Sequence, residues 1–188
     1  MTCSKSLAAL ALAACVAVPA FAQVPAAAPK PAAAPASPIT ASVGGQMAMI
    51  KGYITKSVEQ VPESLFGFKA TPEVRSFAQL FGHVADANYS MCSAAAGEKD
   101  PSLNIEKTKT TKADLAKALG ESFAYCEKVL AATNDANGAE LRELFGMKMA
   151  RVSWLNFAVA HDYEHYGNMV TYMRLNKMVP PSSQGRGM

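Results

Sequence analysis

Apolar residues recur every three or four positions along most of the chain, which is the spacing of one face of an α-helix. The first stripe ends at Pro62 and predicts a helix before that proline. Its members are Val43, Met47, Ile50, Ile54, Val58 and Val61. No run alternates convincingly between apolar and polar residues, and no repeat occurs at a fixed spacing. The pattern therefore predicts helices and no strands.

A second helix is predicted to begin at Thr71-Pro72-Glu73 and to extend to about Ala96, before Gly97. The threonine supplies a capping hydroxyl, and the proline lies where the first helical N–H would be unpaired anyway. The acid lies near the positive end of the helix dipole. The apolar stripe of this helix consists of Val74, Phe77, Leu80, Phe81 and Val84.

A third helix is predicted after Thr111-Lys112-Ala113-Asp114, which resembles a capping box, and it runs toward Asn134. Its stripe consists of Leu115, Leu119, Cys126, Val129 and Leu130. This stripe gives the third helix one apolar face to bury against its neighbours.

A fourth helix follows the turn at Asn137-Gly138. It begins near Ala150 and runs to about Met178, where Pro180-Pro181 prevents its continuation. Four helices of roughly 20 to 29 residues predict an all-α four-helix bundle. We place this domain at residues 39–182, with residues 183–188 as a flexible tail.

Residues 1–22 have the features of a secretory signal peptide. Lys5 is the only charge before an uncharged apolar run, and Ala20-Phe21-Ala22 provides the small residues that signal peptidase requires. We predict cleavage before Gln23 and a periplasmic or secreted protein. The run is too short to cross a membrane, which takes about 20 apolar residues.

Two further features surround this cleavage site. Leu12-Ala13-Ala14-Cys15 resembles a lipoprotein box, so the alternative is a lipoprotein anchored at Cys15. Residues 23–38 are almost entirely Ala and Pro, which bury too little apolar surface to fold, and they predict a disordered linker.

The composition excludes several classes of protein. The chain has 188 residues, a length typical of one domain, with 18 Lys+Arg against 15 Asp+Glu. A formal charge of +3 without a clustered basic face argues against nucleic-acid binding. A hydrophobic fraction of 50% fits a globular core.

All three histidines of the chain lie on the inward flanks of predicted helices. His83 belongs to the second helix, and His161 and His165 are one turn apart on one face of the fourth. Three buried titratable rings are unfavourable without partners, whereas one divalent ion binds their neutral nitrogens. We therefore predict a metal site formed by His83, His161 and His165. The alternative for each ring is a hydrogen-bonded core histidine.

Three acidic residues accompany the histidines in sequence. Asp162 lies on the apolar side of the fourth helix, so it either accepts a hydrogen bond from a histidine ring or forms a salt bridge. Asp86 is either a partner of this kind or solvated. Glu164 falls on the polar arc of its helix and is interpreted as a surface residue.

Two segments resemble the DinB-like family. Residues 81–88, Phe-Gly-His-Val-Ala-Asp-Ala-Asn, are similar to the family's second-helix motif, and residues 160–174 are similar to its C-terminal helix with H-x-x-x-H. Met178-Val179-Pro180-Pro181 is similar to the family's ending, and the resemblance covers about residues 47–182. Tyr166 and Asn168 replace the usual Arg and Gln around Gly167.

The resemblance implies a bundle with up-down-down-up connections, a divalent metal on a His triad, and protomers that pair as homodimers. Some members of the family are metal-dependent thiol S-transferases. In this topology the second and third helices run parallel, which makes a bridge between Cys92 and Cys126 geometrically possible, and we predict this disulfide. The alternative is two free buried thiols.

Three histidine donors leave a coordination position open, because a closed zinc site needs four protein ligands. We expect zinc or nickel, with iron and manganese also compatible with imidazole. The function predicted is metal binding by an exported protein. Its alternatives are a thiol S-transferase or hydrolase acting on a small thiol or electrophile, and an envelope interaction domain with a structural metal. Trp154, Tyr166 and Tyr172 are candidate walls of the site.

Overall fold

The computed structural model describes residues 37–185. The predicted signal peptide, the alternative anchor at Cys15, linker residues 23–36 and tail residues 186–188 lie outside the described residues. No helix among residues 37–185 has the length and apolar character needed to span a membrane.

The first helix, α1, spans Pro38–Gln60 and begins with a proline in its first turn. Its predicted stripe is buried: Ile50, Ile54 and Val61 are fully enclosed. The second helix, α2, spans Phe77–Ala96.

The predicted start of α2 at Thr71 is wrong. Residues 71–75 are an exposed turn, and Val74 does not belong to the buried stripe. The helix is capped by Ser76, whose side chain accepts a hydrogen bond from the backbone N–H of Gln79, while the Gln79 side chain accepts one from the backbone N–H of Ser76. This capping box fixes the start of the helix next to the fully buried Phe77.

A short helix, α3, spans Ile105–Thr108 within the connection that follows α2. The next long helix, α4, spans Lys112–Ala131. Thr111 caps α4 by accepting a hydrogen bond from the backbone N–H of Asp114, as its sequence predicts.

The connection between α4 and the last helix contains a β-hairpin that the sequence pattern did not predict. Strand β1 spans Leu141–Leu144 and pairs antiparallel with β2, Met147–Ala150, around a turn at Phe145 and Gly146. The last helix, α5, spans Arg151–Leu175. The bundle is therefore mostly helical with one small hairpin at its side.

Helices α2 and α4 run in the same direction. Two successive contacts between them show this, because the offset in sequence between the paired residues stays constant. Asn88 Nδ2 donates to Ser122 Oγ at 3.4 Å. One turn further along both helices, Cys92 and Cys126 form a disulfide with Cα atoms 5.3 Å apart. The structure therefore has the predicted disulfide and not two free thiols at these positions.

Helix α1 runs antiparallel to α4. Lys51, in the middle of α1, forms an ion pair with Glu127 near the end of α4, with 2.8 Å between Nζ and Oε1. At the beginning of α1, Thr40 donates from its backbone N–H and its hydroxyl to Asp135, which lies beyond the end of α4.

Helix α5 runs antiparallel to α2. Near the beginning of α2, the carbonyl of Arg75 accepts a hydrogen bond from the Tyr172 hydroxyl, and one to two turns later His83 faces His161. With α1 and α5 both opposed to α2 and α4, the connections are up-down-down-up, as the resemblance implied.

Candidate metal centre

The three histidines converge on one point between α2 and α5. The Nε2 atom of His161 lies 3.2 Å from Nε2 of His83 and 3.1 Å from Nε2 of His165. One nitrogen from each ring lies within 4.8 Å of the other two. The i, i+4 spacing on α5 places the two rings of that helix one turn apart, and the antiparallel packing brings His83 against them.

Burial disfavours the charged form of all three rings. Desolvation, followed by repulsion from His165 and His83, lowers the pKa of His161 to about 3. Desolvation and the neighbouring His83 lower the pKa of His165 to about 4. Desolvation and the charge of Arg75 lower the pKa of His83, while Glu106 opposes this effect. Neutral imidazoles carry the lone pairs that metal binding requires.

The spacing of the nitrogens fits a transition-metal ion. Ligand nitrogens about 2.0–2.1 Å from a tetrahedral ion lie about 3.3 Å from one another. The observed 3.1 and 3.2 Å between Nε2 atoms are close to that value. Three convergent neutral nitrogens are also the donor set that suits zinc, nickel and iron.

Glu106 orients His83, although no sequence motif points to it. Its Oε2 lies 3.0 Å from Nδ1 of His83, and its Oε1 accepts a hydrogen bond from Nε of Arg75 at 3.0 Å. A carboxylate at Nδ1 favours the tautomer with its proton on that atom, which leaves Nε2 with a lone pair facing His161.

Two residues of α2 place Glu106 beside the histidine. Both carboxylate oxygens of Asp86 accept hydrogen bonds from α3, from the backbone N–H groups of Ile105 and Glu106 at 2.9 Å. Gly82 allows the close approach, because a Cβ at this position would lie 2.5 Å from the Cα of Glu106. Asp86 is thus neither a direct partner of a histidine nor merely solvated: it anchors α3.

The other two Nδ1 atoms differ in their surroundings. Nδ1 of His165 lies 3.4 Å from the side-chain amide of Asn168, one turn later on α5. Nδ1 of His161 is buried without a hydrogen-bond partner among the described residues. Asn168, one of the two departures from the family's pattern, therefore contacts a predicted ligand.

Asp162 lies in the core, only 2% exposed. Its neighbour is Asn88 of α2, and burial raises the pKa of its carboxyl well above the usual range. Neither the contact with a histidine nor the salt bridge considered from the sequence is present among the described residues. Asp162 is therefore part of a buried polar layer with Asn88 and Ser122.

Two cavities adjoin the histidines from different sides. A polar cavity of about 750 Å³ is lined by His165 together with Lys69, Arg75, Glu164 and Tyr172, among others. Glu164 is exposed, as predicted, but it faces this cavity.

The second cavity, of about 400 Å³, is mainly apolar and is bordered by His83 and His161. Of the three aromatic residues expected as walls, only Tyr172 lines either of these cavities. Tyr166 stacks on Tyr53, and Trp154 donates from Nε1 to the carbonyl of Arg142 in the hairpin. Both residues act in packing.

The family model of the DinB superfamily matches residues 51–169. The fold is similar to that of a DinB-like protein from Bacillus cereus, with a TM-score of 0.66 and 14% identity over 75% of this chain and 95% of that one. It is also similar to a DinB-like protein from Bacillus subtilis, with a TM-score of 0.60 and 18% identity over 78% and 99% of the two chains.

A third similar structure is a mycothiol-dependent maleylpyruvate isomerase. Its TM-score is 0.59, with 15% identity over 69% of this chain and 60% of that chain. No curated protein matches the sequence significantly. At these identities the structural neighbours show a common fold.

Proposed function

The chain belongs to the DinB superfamily, and from this premise we propose that it binds a divalent transition-metal ion through His83, His161 and His165. The observation that carries the proposal is the convergence of three Nε2 atoms at 3.1 and 3.2 Å in a partly buried site. Zinc and nickel are the favoured ions, and iron and manganese are compatible with the same donors.

The protein contributes three neutral donors and a carboxylate that orients one of them. A structural zinc site uses four protein ligands, so three donors leave at least one position for a ligand from solution. The cavities beside His165 and beside His83 and His161 give such a ligand access from either side. A metal ion in such a site lowers the pKa of a coordinated thiol or water.

Metal-dependent thiol transfer is the second candidate function, with hydrolysis as its variant. The polar cavity beside His165 favours it, because Lys69 and Arg75 line this cavity together with Glu73, Glu106 and Glu164 and offer polar contacts to a cosubstrate. A fold neighbour is a mycothiol-dependent isomerase, which supports thiol chemistry on this fold. The substrates would be a small thiol and an electrophile.

The alternative to catalysis is an envelope interaction domain whose ion cross-links α2 and α5. Export remains part of the proposal, by cleavage before Gln23 to give a periplasmic or secreted protein, or as a lipoprotein anchored at Cys15. Pairing of two protomers as a homodimer is proposed with it. These proposals rest on the sequence and on the family resemblance.

Metal analysis of the purified mature protein tests the central proposal. We expect about one ion per chain after loading with zinc, and visible absorption from cobalt bound to three nitrogens when cobalt replaces it. Binding to the folded state alone raises the unfolding temperature, so a chelator is expected to lower it. A protein that takes up no stoichiometric zinc, nickel, iron, manganese or cobalt would contradict the proposal.

Glu106→Gln is expected to weaken metal affinity about tenfold, since loss of an outer partner of a ligand typically costs about 10–100-fold. The amide keeps the shape of the side chain but is neutral and has only one acceptor oxygen, for which Nδ1 of His83 and Nε of Arg75, each 3.0 Å from the carboxylate, would compete. Competition with a chromophoric chelator measures the change. Glu121→Gln, an exposed residue that lies 3.8 Å from Lys117, is the matched control. Equal affinities in the two variants would remove Glu106 from the site.

A further inference from the structure

The tip of the β-hairpin lines the same cavity as two of the three histidines. It forms one side of the apolar cavity of about 400 Å³, here called the hairpin cleft, together with α2 and α5. The polar edge of this cleft is formed by His83 and His161. Its apolar walls are Met91, Phe145, Met147 and Phe157.

Phe145 has a backbone conformation that its residue type disfavours. It occupies the first position of a two-residue hairpin turn, with φ of +54°, and Gly146 follows with φ of +72°. Positive φ at both positions is typical of a type I′ turn, which favours Asn or Gly at the position of Phe145. Strained residues of this kind persist where the surrounding structure holds them in place, and they cluster at functional sites.

Packing within the chain does not account for the aromatic ring. Phe145 is 68% exposed, and its neighbours Met147 and Phe157 are 42% and 38% exposed. These three side chains make an apolar patch at the mouth of the cleft, next to two predicted metal ligands. The exposed ring of Phe145 therefore lines the same cleft as the imidazoles of His83 and His161.

The remaining polar groups of the cleft are already engaged. Both oxygens of Asp86 accept hydrogen bonds from the backbone of α3. The hydroxyl of Ser90 donates to Asp100. A ligand in the cleft therefore finds apolar walls and, at one end, the imidazoles of His83 and His161. These walls favour a ligand that has an apolar body and one polar group.

We propose that the hairpin cleft binds the apolar, ring-sized portion of a small organic ligand whose polar group faces His83 and His161. This inference rests on the proposed function, because the polar group would take the open position of the metal. Small-molecule sites have volumes of about 300–1,000 Å³, and the cleft lies within that range. In a transferase or hydrolase, this ligand is the electrophilic substrate.

A second copy of the chain is the competing occupant of this surface. A standard interface uses about 20–30 residues on each side, whereas the exposed apolar side chains at the cleft are Phe145, Met147 and Phe157. The patch also encloses a concave space that ends at the histidines. Both features favour a small ligand.

Hydroxamates that differ only in their substituent test the proposal. Benzohydroxamate and acetohydroxamate are titrated into the cobalt-loaded protein, with binding followed by cobalt absorption and by the fluorescence of Trp154, the only tryptophan of the chain. Trp154 lies in edge contact with Phe157. Burial of a phenyl group in place of a methyl is expected to favour benzohydroxamate about tenfold or more.

Phe145→Asn separates binding from folding. Asn-Gly suits the turn, so the unfolding temperature should stay the same or rise, while the preference for benzohydroxamate should fall to within about threefold. Leu141→Ala, an exposed apolar position of the same hairpin that does not line the cleft, should keep the full preference. An unchanged preference in Phe145→Asn would overturn the proposal, as would a loss that accompanies dissociation of a dimer.

A metal-free arm distinguishes failure of the cleft from failure of the metal site. Benzyl alcohol is added to protein with ¹³C-labelled methionine methyl groups, and ring-current shifts are expected at Met91 and Met147 but not at Met47 in the core. Shifts without cobalt binding would support the cleft and contradict the proposed function. Cobalt binding with neither methionine shifts nor a preference for benzohydroxamate would contradict the cleft and support the proposed function.

Discussion

Replacement of His161 by alanine is expected to abolish stoichiometric metal binding. His161 is the central ligand, since its Nε2 lies 3.2 Å from that of His83 and 3.1 Å from that of His165. Loss of a direct ligand should weaken affinity by more than the about 10–100-fold that loss of an outer partner costs. Isothermal titration with zinc and the absorption of added cobalt measure the loss.

The same variant should leave the metal-free fold largely intact. Nδ1 of His161 is buried without a hydrogen-bond partner among residues 37–185, so this partly buried ring leaves a polar atom unsatisfied when no ion is present. We therefore expect the metal-free unfolding temperatures of variant and wild type to be similar, while the rise on adding zinc disappears in the variant.

Asn156→Ala, an exposed position on the same helix, is the control for effects of the substitution on α5. It should bind zinc as the wild type does. If His161→Ala bound zinc with wild-type affinity, the ion would have to be held by residues other than the His triad.

Gly82→Ala is expected to disturb both the metal centre and the stability of the protein. The added Cβ would lie 2.5 Å from Cα and 2.8 Å from the backbone nitrogen of Glu106, and backbone cannot rotate away as a side chain can. Helix α3 must therefore shift, and the contact between Glu106 and His83 is lost with it. We expect zinc affinity to fall by about tenfold or more, and overpacking to lower the free energy of unfolding by about 1–3 kcal/mol.

Gly120→Ala provides a matched control within α4. A Cβ at this position meets nothing within 4 Å, so the substitution only improves helix propensity and should stabilise the protein by up to about 1 kcal/mol. Chemical denaturation and zinc titration of both variants give the comparison. A Gly82→Ala protein with wild-type zinc affinity would mean that the position of α3 does not influence the site.

The first three long helices could be predicted because each carries an apolar stripe on the side that it buries, and the last because it lies between the Asn137-Gly138 turn and Pro180-Pro181. The beginning of α2 could not be settled this way. Both Thr71-Pro72-Glu73 and Ser76 with Gln79 have the sequence of a helix start. The helix begins at the second of them, where Phe77 packs into the core of the folded bundle. The hairpin was missed because strands of four residues carry too few positions to show alternation, and Phe145-Gly146 is not a common turn sequence.

The three histidines were identified because helical periodicity converts sequence spacing into a shared face. Glu106 was missed because it lies 23 residues from His83, in a segment without a strong periodic signal. The signals that could have pointed to it are indirect. Gly82 within a helix suggests close approach of another backbone, and Asp86 one turn later can bind the N–H groups of a helix start.

The sequence by itself determined the four long helices apart from the start of α2, and the three histidines on their inward flanks, because both depend on local spacing along each helix. Tertiary structure decided which atoms meet. It joined Cys92 to Cys126, placed Glu106 next to Nδ1 of His83, and brought the tip of the hairpin to the cavity that His83 and His161 also line. These contacts depend on the relative positions of segments distant in sequence, and such positions follow from packing of the whole bundle.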